Sequence, residues 1–250
     1  ERTDFKPEAA DVLGSGLRDF ANVRFLTGHS HRRRFSAPKE LPNIVEHAIS
    51  SASGNNWESG YNGYPHICSD GTDAGIEVFS FDGRDVKWEF VSQQNPGRTF
   101  RAYDMNSVGE YYRSTADVQN LVRHHSTRID YGAPSFSNYI YINYWGDEPQ
   151  SKIEAFDGDK PLKVRRITQE DPLYTLATAV VRLRNSRGRK MNFGRNNSQH
   201  LFRIKTDTAT TTIRIRTTDP FGRIFEDSVV RPQPFPPTMT TSRKSKKKKQ

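Results

Sequence analysis

Val23-Arg24-Phe25-Leu26-Thr27-Gly28-His29-Ser30-His31 is a short apolar strand that runs straight into Gly-His-x-His. In an extended backbone, residues two apart project to one face, with Cα atoms roughly 6.6–7 Å apart. Two imidazoles so spaced can lean toward two metal ions about 3.5–4 Å apart, the separation that two-metal hydrolases use. Gly28 frees the backbone to turn where the strand ends. A bare H-x-H is more often a surface loop, and the apolar run before it favours the ligand reading.

Downstream, Glu46-His47 lies in an apolar run that leads to Gly54 and Trp57. Next come Cys68-Ser69-Asp70-Gly71-Thr72-Asp73-Ala74-Gly75, then Val86-Lys87-Trp88-Glu89-Phe90, then Arg101-Ala102-Tyr103-Asp104. Asp171-Pro172 and Asp219-Pro220-Phe221-Gly222-Arg223 stand near the end. Taken in this order, from about Val23 to Val230, the chain resembles the C-terminal part of bacterial calcineurin-like phosphoesterases that carry an additional C-terminal β domain. Two places depart from the pattern: Asn56-Trp57 where relatives pair tryptophans, and Asp73-Ala74-Gly75-Ile76 after Gly71-Thr72.

The resemblance implies a metal-dependent phosphoester hydrolase working by in-line attack of a metal-activated water. His29 and His31 would each bind a divalent ion, with two ions (Mn, Fe or Zn) in the complete protein. Hard oxygen donors must complete such a centre. The D-x-H and G-N-H-[DE] motifs that supply them in the family are absent from these 250 residues. The expectation is therefore a fragment lacking the front of its catalytic domain, inactive alone and holding no metal tightly. Its partners would be that missing segment and a phosphoester of unspecified identity. His47, Arg32, Arg33, Trp57 and His66 are further candidates, at the substrate side or supporting the ligands. Arginine forks suit phosphate, while a solvated loop is an equal reading of Arg32-Arg33-Arg34. An inward-facing core histidine is an equal reading of His47. The alternative for the whole chain is a non-catalytic β-sandwich module that binds a partner.

Composition limits other classes. The net charge is +9, but Arg243 to Lys249 contributes six of those charges after a Pro-rich run. Nucleic-acid binding is thus expected only weakly, through that tail. One cysteine, Cys68, rules out an internal disulfide framework. No apolar run approaches the length that spans a bilayer. Export from the cell is favoured by the resemblance alone.

The predicted fold class is α+β, mainly β. Residues 1–98 would be the end of a four-layer α/β/β/α metallophosphoesterase domain, with a helix over residues 4–20. Residues 99–230 would form an immunoglobulin-like β-sandwich of about seven short strands. Residues 231–250 would be a disordered Pro-rich and Lys-rich tail. Asp157-Gly158 predicts a hairpin. Leu176–Leu183 is open between strand and helix.

Overall fold

A computed structural model describes residues 7–37, 43–54, 64–124, 129–181, 183 and 196–237. The fold is mixed α+β with strands predominant. Helix α1 (Pro7–Leu17) leads to β1 (Val23–Thr27), then β2 (Arg34–Ser36) and β3 (Ile44–Ala48). These strands form one sheet in the order β1-β3-β2, with β1 parallel to β3 and β2 antiparallel to it. Val12 on α1 and Phe20, three residues after its end, are exposed.

Strands β4 (Gly75–Asp82) and β5 (Asp85–Ser92) make a hairpin closed by Gly83 at φ 58°. That left-handed conformation costs glycine nothing, which is why Asp-Gly marks such turns.

From residue 100 onward the chain builds two four-stranded antiparallel sheets. Their strands are β6 (Phe100–Asp104), β7 (Tyr139–Tyr144), β8 (Lys152–Asp157), β9 (Lys160–Leu162), β10 (Val164–Glu170), β11 (Asn197–Lys205), β12 (Ile213–Thr218) and β13 (Ile224–Val229). One sheet runs β10-β11-β7-β6 and the other β13-β12-β8-β9. Ile140, Ile142, Phe202 and Ile204 of the first share a buried cluster with Ala155, Ile213, Ile215 and Val229 of the second. Period-two alternation in Tyr139-Ile140-Tyr141-Ile142 sends the isoleucines into this core and the tyrosines to the opposite face.

That opposite face is covered by helices, which the β-sandwich expectation for residues 99–230 does not contain beyond the open reading of Leu176–Leu183. Helix α2 (Met105–Ser114) is capped by Asp104, whose side chain accepts from Asn106 N at 3.2 Å. It buries Met105, Val108 and Tyr112, one stripe at helical spacing. Helix α3 (Ala116–His124) buries Val118 and Leu121. The segment left open between strand and helix is helical: α4 (Pro172–Tyr174) runs on as a π-helix over Thr175–Val180. Asp171 caps it and proline follows at the first helical position, where its missing N–H costs nothing.

Arg231 to Pro237, expected to belong to the tail, pack back onto the body. The Arg231 guanidinium is buried against Asp104 and donates to Thr206 Oγ1 at 2.9 Å. Phe235 meets the rings of Tyr103 and Tyr111. Residues 238–250 lie outside the described residues.

Candidate functional site

The Gly-His-Ser-His turn follows β1 directly. His29 is exposed and His31 half-buried, the latter at φ 53°. His31 Nδ1 lies 3.1 Å from Gly54 O. A carbonyl can only accept, so Nδ1 carries the proton and the neutral ring keeps its free lone pair on Nε2. Ligating histidines are oriented by such backbone bonds. His31 Nε2 is therefore open to a metal, but the segment turns at His29–His31 rather than running extended, so the same-face spacing expected of a strand does not apply to the pair. No carboxylate group among the described residues clusters with them.

Arg32, Arg33 and Arg34 fasten this turn rather than face solvent together. Arg32 Nε donates to Ser69 Oγ at 2.8 Å and its Nη2 to Asn196. Arg34 pairs with Glu46 at 3.0 Å. Arg33 is buried: its backbone N–H donates to Asp70 Oδ2 at 2.7 Å, and its guanidinium binds Glu77 Oε1 at 2.7 Å, Glu148 and Trp145 O. The fork is spent inside the protein, leaving Arg32 as the arginine of that pair nearer solvent.

His47, Glu77 and Glu148 bring nitrogen and oxygen atoms within 4.8 Å of one another, the one such trio among the described residues. The group does not fit a metal as it stands, because the Arg33 guanidinium already occupies both carboxylates. His47 is fully buried, with both ring nitrogens lacking a hydrogen-bond partner. Its Nε2 sits 3.6 Å from Glu77 Oε1, and the rings of Phe35, Phe79 and Trp88 surround it. Burial, then the charges of Arg33 and Arg24, hold its pKa down at about 3. Glu77 cannot reverse that, since its charge is committed to Arg33. Burial pushes the Glu148 carboxyl above its usual range, against the pull of Arg33 and the Trp88 indole.

Behind the turn, the loop Cys68–Gly75 is wired into the two-sheet unit. Asp70 accepts from Arg33 N, Thr72 N and His200 Nε2, the last at 3.1 Å. Burial alone would raise its pKa, but the His200 contact and these backbone N–H groups bring it below the ordinary value. Asn143 Nδ2 donates both to Asp70 O at 2.9 Å and to Asp171 Oδ2 at 2.8 Å. Tyr103 OH donates to Asp171, and Asp73 takes Arg101, Ser92 and Asn95. Gly71, at φ 85°, threads this network where a Cβ would lie 2.2 Å from Asn143 Nδ2. Only glycine fits.

Of the remaining candidates, His66 is exposed beside the Ile67–Asp73 bridge, and Trp57 lies outside the described residues. Cys68 is buried. Sequence reasoning does not single out Glu77, Glu148, Asp171 or His200 as site residues. Their only signals are Asp-Pro at a helix start and a histidine on a strand, neither of which names its partners: Tyr103, 68 positions from Asp171, and Asp70, 130 positions from His200.

The family model for the C-terminal part of calcineurin-like phosphoesterases matches residues 46–225. The chain belongs to that family. The match spans the Asp70 loop, the hairpin and most of both sheets, and begins after His29 and His31. No curated protein and no solved structure matches the chain. Among the described residues no helix is long and apolar enough to cross a membrane.

Proposed function

We propose that this chain is the supporting part of a metal-dependent phosphoester hydrolase, and that His29 and His31 are its share of the metal ligands. The observation that carries this reading is the Nδ1–H bond from His31 to Gly54 O, which leaves Nε2 as a directed donor in a member of a metallophosphoesterase family. The oxygen ligands would come from a catalytic segment outside these 250 residues. Residues 1–98 would close the catalytic domain and residues 99–230 would brace it. The metals, when bound, would supply Lewis-acid charge and lower the pKa of water.

The chain's own residues do the positioning. Arg33 ties the histidine turn to β4 through Glu77 and to the two-sheet unit through Glu148 and Trp145 O. Asp70 holds the Arg33 backbone and is itself held by His200 and, through its carbonyl, by Asn143. The turn is thereby fixed from two sides. Small errors in ligand placement are costly in metal centres, so such bracing has a catalytic consequence. Arg32, exposed but with Nε and Nη2 held by Ser69 and Asn196, would present only its remaining amino group to a phosphate.

The test is hydrolysis of an aryl phosphomonoester and an aryl phosphodiester with Mn²⁺ or Zn²⁺. The protein would carry the family's D-x-H and G-N-H motifs ahead of this chain. Activity is expected, and His29→Ala with His31→Ala should abolish it and weaken metal binding. A folded, metal-loaded double variant with full activity would remove the histidines from the centre. An extended protein that folds but binds no metal would shift the reading to a β binding module.

A further inference from the structure

The helix-covered side of the β10-β11-β7-β6 sheet carries a feature that the histidine turn does not use. Arg165 on β10 and Arg203 on β11 are direct cross-strand partners, which places their Cβ atoms about 5 Å apart and sets like charges against each other. Lys205, two residues beyond Arg203, points to the same face. Tyr139 lies across from Lys205 on β7. The Arg203 guanidinium is 5.3 Å and the Lys205 ammonium 4.5 Å from its ring centroid.

Several other cations on these two sheets are matched by carboxylates: Arg166 by Asp147, Arg214 and Arg216 by Glu226. Among the described residues no carboxylate pairs with Arg165, Arg203 or Lys205. The acid nearest in sequence, Asp207, is paired with Lys160 at 2.8 Å. Lys205 donates to Ser137 O at 2.8 Å, which holds it in place without neutralising it. Arg165 and Lys205 are exposed and Arg203 is half-buried. Arg203 also hydrogen-bonds the Tyr141 hydroxyl, which holds it in place without neutralising it, and like charges on facing strand positions oppose pairing. An anion that bridges the two arginines removes the penalty.

We propose that Arg165, Arg203 and Lys205 form a binding site for a phosphate monoester dianion. Two guanidinium forks and an ammonium supply planar, charge-assisted donors. A phosphate monoester approaches two negative charges at neutral pH and offers three acceptor oxygens, whereas a sulfate ester carries one charge. The concentration of charge therefore favours phosphate over sulfate. This site stands independently of the hydrolase reading, because the three residues share no contact with the histidine turn.

The test uses the full chain in chelator-treated buffer, so that no metal contributes. Phenyl phosphate and phenyl sulfate are titrated by calorimetry, and thermal melts are recorded with and without each. Phenyl phosphate should bind and raise the melting temperature, and phenyl sulfate should do so far less. Arg165→Gln and Arg203→Gln should each weaken phosphate binding about tenfold or more, the loss of a charge-assisted bond. Without ligand, Arg165→Gln should melt at the wild-type temperature or above it, because one of two opposed charges is gone, whereas Arg203→Gln also gives up its contacts with Tyr139 and Tyr141. No phosphate binding, equal binding by wild type and both variants, or equal binding of sulfate would each overturn the site. A ligand-free loss of stability in Arg165→Gln would make the pair structural and overturn it as well.

Discussion

Replacing His47 by glutamine should flatten the acid side of the protein's stability profile. The ring is buried without a hydrogen-bond partner, and its pKa is held at about 3 against an ordinary 6.5. Below pH 6.5 the unfolded chain takes up a proton that the folded chain refuses. Stability is therefore complete above the unfolded value and is lost as pH falls toward the folded one. At about 1.4 kcal/mol per pH unit, the loss from this one ring is about 2 kcal/mol by pH 5 and about 4 kcal/mol by pH 3. The assay is denaturant unfolding of wild type and His47→Gln at about pH 7.5 and pH 5. The wild type should lose about 2 kcal/mol more than the variant between those conditions. Contributions from Asp70, Glu148 and Asp171 are common to both proteins and cancel in the difference. If both lose the same amount, His47 is protonated in the folded state. Glu77 would then retain charge that Arg33 has not neutralised.

Two further outcomes follow from named contacts. Gly71→Ala should cost more than about 3 kcal/mol, because its Cβ would collide with Asn143 and Asp171 at φ 85°, whereas Gly83→Ala, with open space at φ 58°, should cost only about 1 kcal/mol; parallel thermal melts compare them. Arg33→Met should cost about 3–5 kcal/mol by stranding two buried carboxylates, and adding Glu77→Gln with Glu148→Gln should recover part of it, as chemical denaturation would show.

The local patterns in this sequence are legible because local chemistry produces them. Period-two alternation marks β7, β8 and β12, Asp-Gly marks the turns after Asp82 and Asp157, and the ordered motifs from Glu46 onward identify the family. Helix α2 is hidden in the sequence for a physical reason. Its stripe of Met105, Val108 and Tyr112 lies among short polar residues, and its cap, Asp104, reads as the end of a strand motif.

Side-chain partners are not legible. Nothing in Arg32-Arg33-Arg34 tells which arginine turns inward, because that depends on where Glu77 and Glu148 arrive from other parts of the chain. His31 becomes a directed donor only through the carbonyl of Gly54, and Asp70 acquires its low pKa only from His200, 130 positions away in the chain. Residue order alone marked most of the strands, the two Asp-Gly turns and the family, but not the three-residue edge strands β2 and β9. Which charges are buried, which histidine stays neutral and which arginines stand unmatched depend on distances between strands, and those exist only once the sheets have assembled.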